Sequence, residues 1–285
     1  MIPLQIGKFK RYTKEPNAID YGFLYINQFE TPLPIEKNRQ IRVYLPDDYF
    51  SKPDKKYAVM YMSDGQNMVD QYTTAYGEWN IDVRNHEMME EGFEGLIYVG
   101  IDSPVDEYAR MAEMIPSMMV LNNETYQLSK KYTICGEIYL DYIFNEIKPM
   151  IDQTFRTLAS REHTLFGGSS MGGLIAFYAG FYRQDVVSKT LCFSPAFLLT
   201  KNNDLKKLVN ELINRYGKNV KITLLSGGKD FEAELLKPTY QAYEYLVKKG
   251  FTNDQLHLTI DSNGIHNESF WSEYFKSALK FLLES

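Results

Sequence analysis

The 285-residue sequence holds only two cysteines and four histidines, and no apolar run approaches the length of a membrane span. Cys135 and Cys192 lie far apart without metal-ligand spacing, which excludes a disulfide framework or a cysteine-based metal site. Both occupy apolar surroundings, as buried and unreactive thiols do. There is no excess of positive charge. Lys and Arg number 31 against 37 Asp and Glu, a net charge of -6 with both signs mixed along the chain, so no basic face for nucleic acid is expected. Internal repeats, low-complexity tracts and linkers rich in proline, glycine or serine are all missing, so residues 1–285 read as a single domain with a large core. Met1 to Lys14 carries charges but no apolar signal core. Together with the scarce cysteine this points to a reducing cytoplasm.

What is present is an alternation of strand-like and helix-like segments, the pattern of an α/β protein. Tyr21 to Phe29 and Gln40 to Leu45 alternate between two faces, as half-exposed antiparallel strands do. Tyr57 to Met62, Leu96 to Ile101, Val187 to Phe193, Lys221 to Leu225 and Leu256 to Ile260 are short apolar runs suited to buried parallel strands. Helices are expected over Gly136 to Ile147, stopped by Pro149, over Met171 to Phe181 and Asp204 to Tyr216, from near Pro238 to Lys249, and over Glu268 to Leu283. Residues 102–135 read as an irregular, Met-rich insertion and a candidate lid. Its Tyr108, Met111, Met114, Met118 and Met119 either line an acyl or aryl pocket or pack the insertion onto the core.

Gly168-Ser169-Ser170-Met171-Gly172 is a G-x-S-x-G sequence between a predicted strand and a predicted helix, the context a nucleophile elbow requires. A serine hydroxyl attacks well only when it is exposed on a sharp turn, beside a base and beside N–H donors that take up developing charge. Ser170 is therefore the candidate nucleophile. The loop Ser63-Asp64-Gly65-Gln66-Asn67 ends another predicted strand, and the backbone N–H groups of Gln66 and Met171 are the candidate oxyanion donors.

Asp230 follows Gly227-Gly228-Lys229 at the end of a strand, where open α/β sheets collect functional residues, and is the candidate triad acid. Glu232 and Glu234 lie close enough to compete with it. His266 occupies a polar, glycine-containing loop after the last strand and is the candidate base. His86, His163 and His257 read as structural or surface residues. The run His86-Glu87-Met88-Met89-Glu90 lacks the second histidine of a zinc helix, so no metal or organic cofactor is expected. The order Ser170, Asp230, His266 is that of α/β hydrolases and not that of the chymotrypsin or subtilisin folds.

These motifs, with Tyr61 to Asn67, Arg110 and Glu113, and Gly264-Ile265-His266-Asn267-Glu268 with Trp271, resemble the putative-esterase branch of the α/β hydrolases. That branch includes feruloyl, acetyl-xylan and siderophore esterases, S-formylglutathione hydrolase and mycolyltransferases. The resemblance runs from about Gln40 to the C-terminus. It implies an α/β-hydrolase fold, with a mostly parallel central sheet, antiparallel N-terminal strands and helices on both faces. It also implies Ser170 as nucleophile, His266 as base and a small ester as substrate, with acyl transfer to a sugar or lipid alcohol, or a non-catalytic binding role, as alternatives.

Overall fold

In the computed structural model, residues 2–14, 21–70, 77–201 and 204–284 are described. Their strands are β1 (Gln5–Ile6), β2 (Phe9–Tyr12), β3 (Phe23–Glu30), β4 (Asn38–Leu45), β5 (Ala58–Ser63), β6 (Leu96–Ile101), β7 (Thr164–Ser169), β8 (Lys189–Phe193), β9 (Lys221–Gly227) and β10 (Leu256–Asp261). They form one sheet in the order β1-β2-β3-β4-β6-β5-β7-β8-β9-β10. The chain runs antiparallel from β1 through β4 and across to β6. From β6 through β5 to β10 every pairing is parallel. The expected α/β-hydrolase architecture is therefore observed.

Side chains of the central strands alternate between two cores because successive residues of a strand face opposite ways. Val59, Tyr61, Phe166, Cys192 and Leu224 enter the larger core. Met60, Met62, Leu165, Leu191 and Leu225 enter the smaller one, with Trp79, Trp271 and Phe275. Buried parallel strands need cover on both faces, and helices supply it. These are α1 (Ile81–Glu90), α2 (Glu107–Met114), α3 (Asn123–Ser129), α4 (Gly136–Asp141), α5 (Lys148–Thr154), α6 (Met171–Tyr182), α7 (Asp204–Tyr216), α8 (Glu232–Lys248) and α9 (Glu268–Leu283). Buried apolar residues of α1 and α9 belong to the smaller core. Those of α4 through α8 belong to the larger one, with the exception of Leu235.

Three expectations about helices are corrected. Pro149 does not stop the helix that begins at Gly136, which continues as α5 to Thr154. Residues Tyr142–Ile147 adopt a wider π-helical turn immediately before it, a local register that accommodates a residue without an N–H. Pro238 does not begin α8 but lies inside it, because Glu232 to Lys237 already form a helix. The Met-rich segment is not irregular throughout. Asp106 caps α2 by accepting a hydrogen bond from the Ala109 N–H at 2.9 Å, and α3 follows.

The sheet order positions the site. From β5 the chain returns as β6 on one side, then crosses to β7 on the other, so the direction of winding reverses between β5 and β7. Ligands of open α/β sheets bind beyond the carboxyl ends of the strands at such a reversal. The two loops there are Asp64–Asn67, after β5, and Ser170, after β7.

Candidate active site

Ser170 joins β7 directly to α6 with φ 57° and ψ -117°, a conformation that costs a non-glycine residue on the order of 1–3 kcal/mol. Surrounding hydrogen bonds hold it there. Its N–H donates to the Phe193 carbonyl at 2.9 Å, and its own carbonyl accepts from Leu174 and Ala196 at 3.0 and 3.1 Å. The turn also needs close approach of strand and helix. A Cβ at Gly168 would lie 2.8 Å from the Gly172 carbonyl carbon, so neither wall could yield. Met171, as the first residue of α6, has an N–H without an intrahelical acceptor and sits at the positive end of the helix.

The loop after β5 is equally constrained. Gly65 packs against the backbone of β6, where an added Cβ would fall 2.5 Å from the Gly100 carbonyl carbon. Asp64 has φ 56° and is buried, and the Arg110 guanidinium forks onto its carboxylate at 2.6 and 2.7 Å. Gln66 donates from its side-chain amide to Ser103 Oγ at 2.8 Å and accepts from the Ser103 N–H at 3.1 Å. Residues 65–67 form a single 3-10 turn, stabilised by the Asn67 N–H donating to the Asp64 carbonyl at 2.9 Å.

His266 Nδ1 lies 2.7 Å from Glu232 Oε1. With the proton on Nδ1 donated to that carboxylate, Nε2 is left as the acceptor, the tautomer a general base needs. Two perpendicular aromatic rings, Trp271 and Phe231, flank the imidazole at centroid distances of 4.9 and 5.0 Å. Trp271 is itself fixed by donating from Nε1 to Ser194 Oγ at 2.9 Å and by stacking on Trp79.

Of the three candidate acids, the structure brings Glu232, and not Asp230, against His266. Asp230 is exposed in a turn at φ 54°, and Glu234 is exposed on the outer face of α8. Glu232, in the first turn of α8, is 0% exposed, and its Oε2 accepts from the Gly227 N–H at 2.8 Å. The carboxylate is thus registered directly to the end of β9. Among the other histidines, His86 stacks on Tyr21 and contacts Asp47, whereas His163 and His257 are exposed. Cys135 and Cys192 are free and buried, and burial pushes both thiols up to about 12.

Ser170, His266 and Gln66 line one cavity of about 520 Å³. Most of the residues lining it are polar. Arg42 is paired with Asp102 at 2.7 and 2.9 Å, Arg110 with Asp64, and Glu107 and Glu268 add carboxyl groups. Pro104, Val105 and Trp271 are the apolar members. Of the two readings of the Met-rich stretch, the structure fits packing onto the core: Met114 and Met119 are buried in it and Met111 and Met118 pack against it, whereas Tyr108 is exposed. Arg110 and Glu113, three positions apart in the sequence motif, pair with different partners, Arg110 with Asp64 and Glu113 with Arg39 at 2.8 Å. Sequence reasoning missed Arg42, Asp102, Ser103 and Glu268 as site residues. Among the described residues no cluster of His, Cys, Asp and Glu suited to a metal ion occurs, and no helix is long and apolar enough to cross a membrane.

Comparison with known proteins bears on the fold and the family. The Bacillus subtilis (strain 168) protein named Uncharacterized protein YbbA is 23% identical over 256 residues, covering 86% of this chain and 92% of its own. An IroE-like serine hydrolase from Shewanella oneidensis superposes with a TM-score of 0.70 at 19% identity, covering 90% of this chain and 80% of that one. A ferulic acid esterase superposes with a TM-score of 0.67 at 16% identity, covering 91% and 97%. At these identities the two solved structures show a shared fold. The model of the Putative esterase family matches residues 34–282, nearly the whole length, and the chain belongs to that family.

Proposed function

We propose that the protein is a serine carboxylic-ester hydrolase that works through an acyl-serine intermediate. The observation carrying this reading is His266, paired with the buried Glu232 and opening on the same cavity as a serine held at φ 57°. His266 Nε2 takes the proton of Ser170 Oγ as the oxygen attacks the ester carbonyl. Glu232 holds the imidazole in the correct tautomer and stabilises the imidazolium that forms. The N–H groups of Gln66 and Met171 hydrogen-bond the tetrahedral oxyanion. The imidazolium then returns the proton to the departing alcohol, leaving the acyl group on Ser170. Water, deprotonated by the same histidine, releases the acid and restores the serine.

The cavity supports a small ester with polar character. Its charge-paired residues offer hydrogen-bond partners to a polar substrate, and only Pro104, Val105 and Trp271 among the lining residues are apolar. The test is hydrolysis of p-nitrophenyl acetate, butyrate and octanoate and of an acetylated sugar by wild type and Ser170→Ala, with labelling by a fluorophosphonate. We expect labelling of wild type alone, a preference for the short or hydroxylated esters, and loss of kcat on the order of 10⁶-fold in the variant. Ester hydrolysis surviving in Ser170→Ala would refute the mechanism, and a preference for octanoate would refute the substrate class.

A further inference from the structure

Three contacts pin the segment that carries Gln66, the donor named above for the oxyanion. Arg110 forks onto Asp64 on its N-terminal side, and Ser103 exchanges two hydrogen bonds with the Gln66 side chain. On the C-terminal side, Asn67 Nδ2 donates to Glu268 Oε1 at 2.8 Å. This last contact spans 201 positions in sequence and is unlike the other two in what it joins. Glu268 is the first residue of α9, two positions after His266, and Asn267 between them caps that helix by accepting from the Phe270 N–H at 2.9 Å. The bond therefore ties the turn that supplies the base to the turn that supplies an oxyanion donor.

Glu268 itself is 4% exposed, and its Oε2 has no hydrogen-bond partner among the described residues. An ionised carboxylate with one oxygen unsatisfied is expensive in such a place. Burial, helped by the nearby Asp64 charge and opposed by its own backbone N–H, Asn67 and Arg110, pushes the carboxyl up to about 7. A neutral acid keeps Oε1 available to Asn67 while adding no negative charge to a wall that must accept an oxyanion.

We infer that Glu268 is a positioning residue for ester hydrolysis, locking the Gln66 turn to the His266 turn through Asn67 so that donor and base keep one geometry through acyl transfer. This rests on the serine-hydrolase reading of the site. The experiment compares Glu268→Ala, Glu268→Gln, Asn67→Ala and the Glu268→Ala/Asn67→Ala double variant on p-nitrophenyl acetate. Each is normalised to the serine labelled by fluorophosphonate, so that a loss of folded protein is not counted as a loss of kcat.

Glu268→Ala and Asn67→Ala should each lower kcat about 10- to 100-fold with KM within about twofold, because misplacement by about 1 Å costs up to ~10²-fold. The double variant should be no worse than either single one, as expected of two residues acting through one contact. Glu268→Gln, which keeps the acceptor and cannot ionise, should stay within about threefold of wild type and lose any decline of kcat above pH 7. The inference is overturned if Glu268→Ala keeps kcat within about twofold, if the two single losses multiply, or if KM rises while kcat holds. A wild-type protein that neither labels nor hydrolyses any ester would overturn the hydrolase reading, and this inference with it, and is read independently of the variants.

Discussion

Replacing Glu232 by glutamine changes one atom pair and should silence the enzyme without unfolding it. The side chain is fully buried and has two partners, the His266 Nδ1–H at Oε1 and the Gly227 N–H at Oε2. A glutamine amide can still accept from Gly227 through its oxygen, but its NH2 then faces Nδ1. His266 must accept there and carry its proton on Nε2, where no proton can be taken from Ser170. An equivalent tautomer error in a serine triad lowers kcat by about 10⁴-fold. Here a loss of about 10³–10⁴-fold is expected, or about 4–5.5 kcal/mol of transition-state stabilisation at 1.36 kcal/mol per tenfold. Asp230→Asn, in an exposed turn, should change kcat by less than about twofold. The assay is steady-state hydrolysis of p-nitrophenyl acetate per labelled serine, with circular dichroism to verify the fold. The reasoning is refuted if Asp230→Asn is as damaging as Glu232→Gln, or if Glu232→Gln retains activity within about threefold.

Ser170→Gly removes backbone strain as well as the nucleophile, and thermal unfolding should show a gain of about 1 kcal/mol alongside complete loss of turnover. Arg110→Met leaves the buried Asp64 carboxylate without its fork, a change that costs ~3–5 kcal/mol for a fully buried pair and about 2–4 kcal/mol here, since the arginine side chain is partly exposed. Urea titration should recover part of that loss in the Asp64→Asn/Arg110→Met double variant, and no recovery would count against the pairing. Because the Glu268 carboxyl is raised in the folded state, its contribution to stability is complete below about pH 4.5, its unfolded value, and is lost as pH rises through about 7. The difference in Tm between wild type and Glu268→Gln should therefore shift against wild type across that window, and a constant difference would show that the carboxyl does not titrate there.

The parallel strands and the elbow were legible because both rest on local patterns, apolar runs of strand length and a glycine-flanked serine. Leu96–Ile101 matched in both bounds, and α9 began and ended where its periodicity placed it. The carboxylate beside His266 was harder because its position depends on where α8 begins. Pro238 drew the expected start six residues too late, leaving Glu232 in an imagined loop and making Asp230, nearer the strand, look better placed. The run Glu232 to Lys237, rich in strong helix formers, held the better signal. Asp106, a good N-cap followed by Glu107, similarly announced α2 within the Met-rich stretch. No local signal marks the Arg42–Asp102 pair or the bond from Asn67 to Glu268, since each joins segments brought together only by the sheet order.

The charge pairs of the cavity wall also determine what a substrate must displace. Arg42–Asp102 and Arg110–Asp64 face a space large enough for several water molecules, and ionic walls hold water strongly. An alkyl chain entering that space would strip hydration from the exposed edges of these ion pairs and return no hydrogen bonds. A hydroxylated or amide-bearing ester would replace the water bond for bond. Discrimination between esters would then arise mainly from the solvation each one forfeits, with shape a secondary influence.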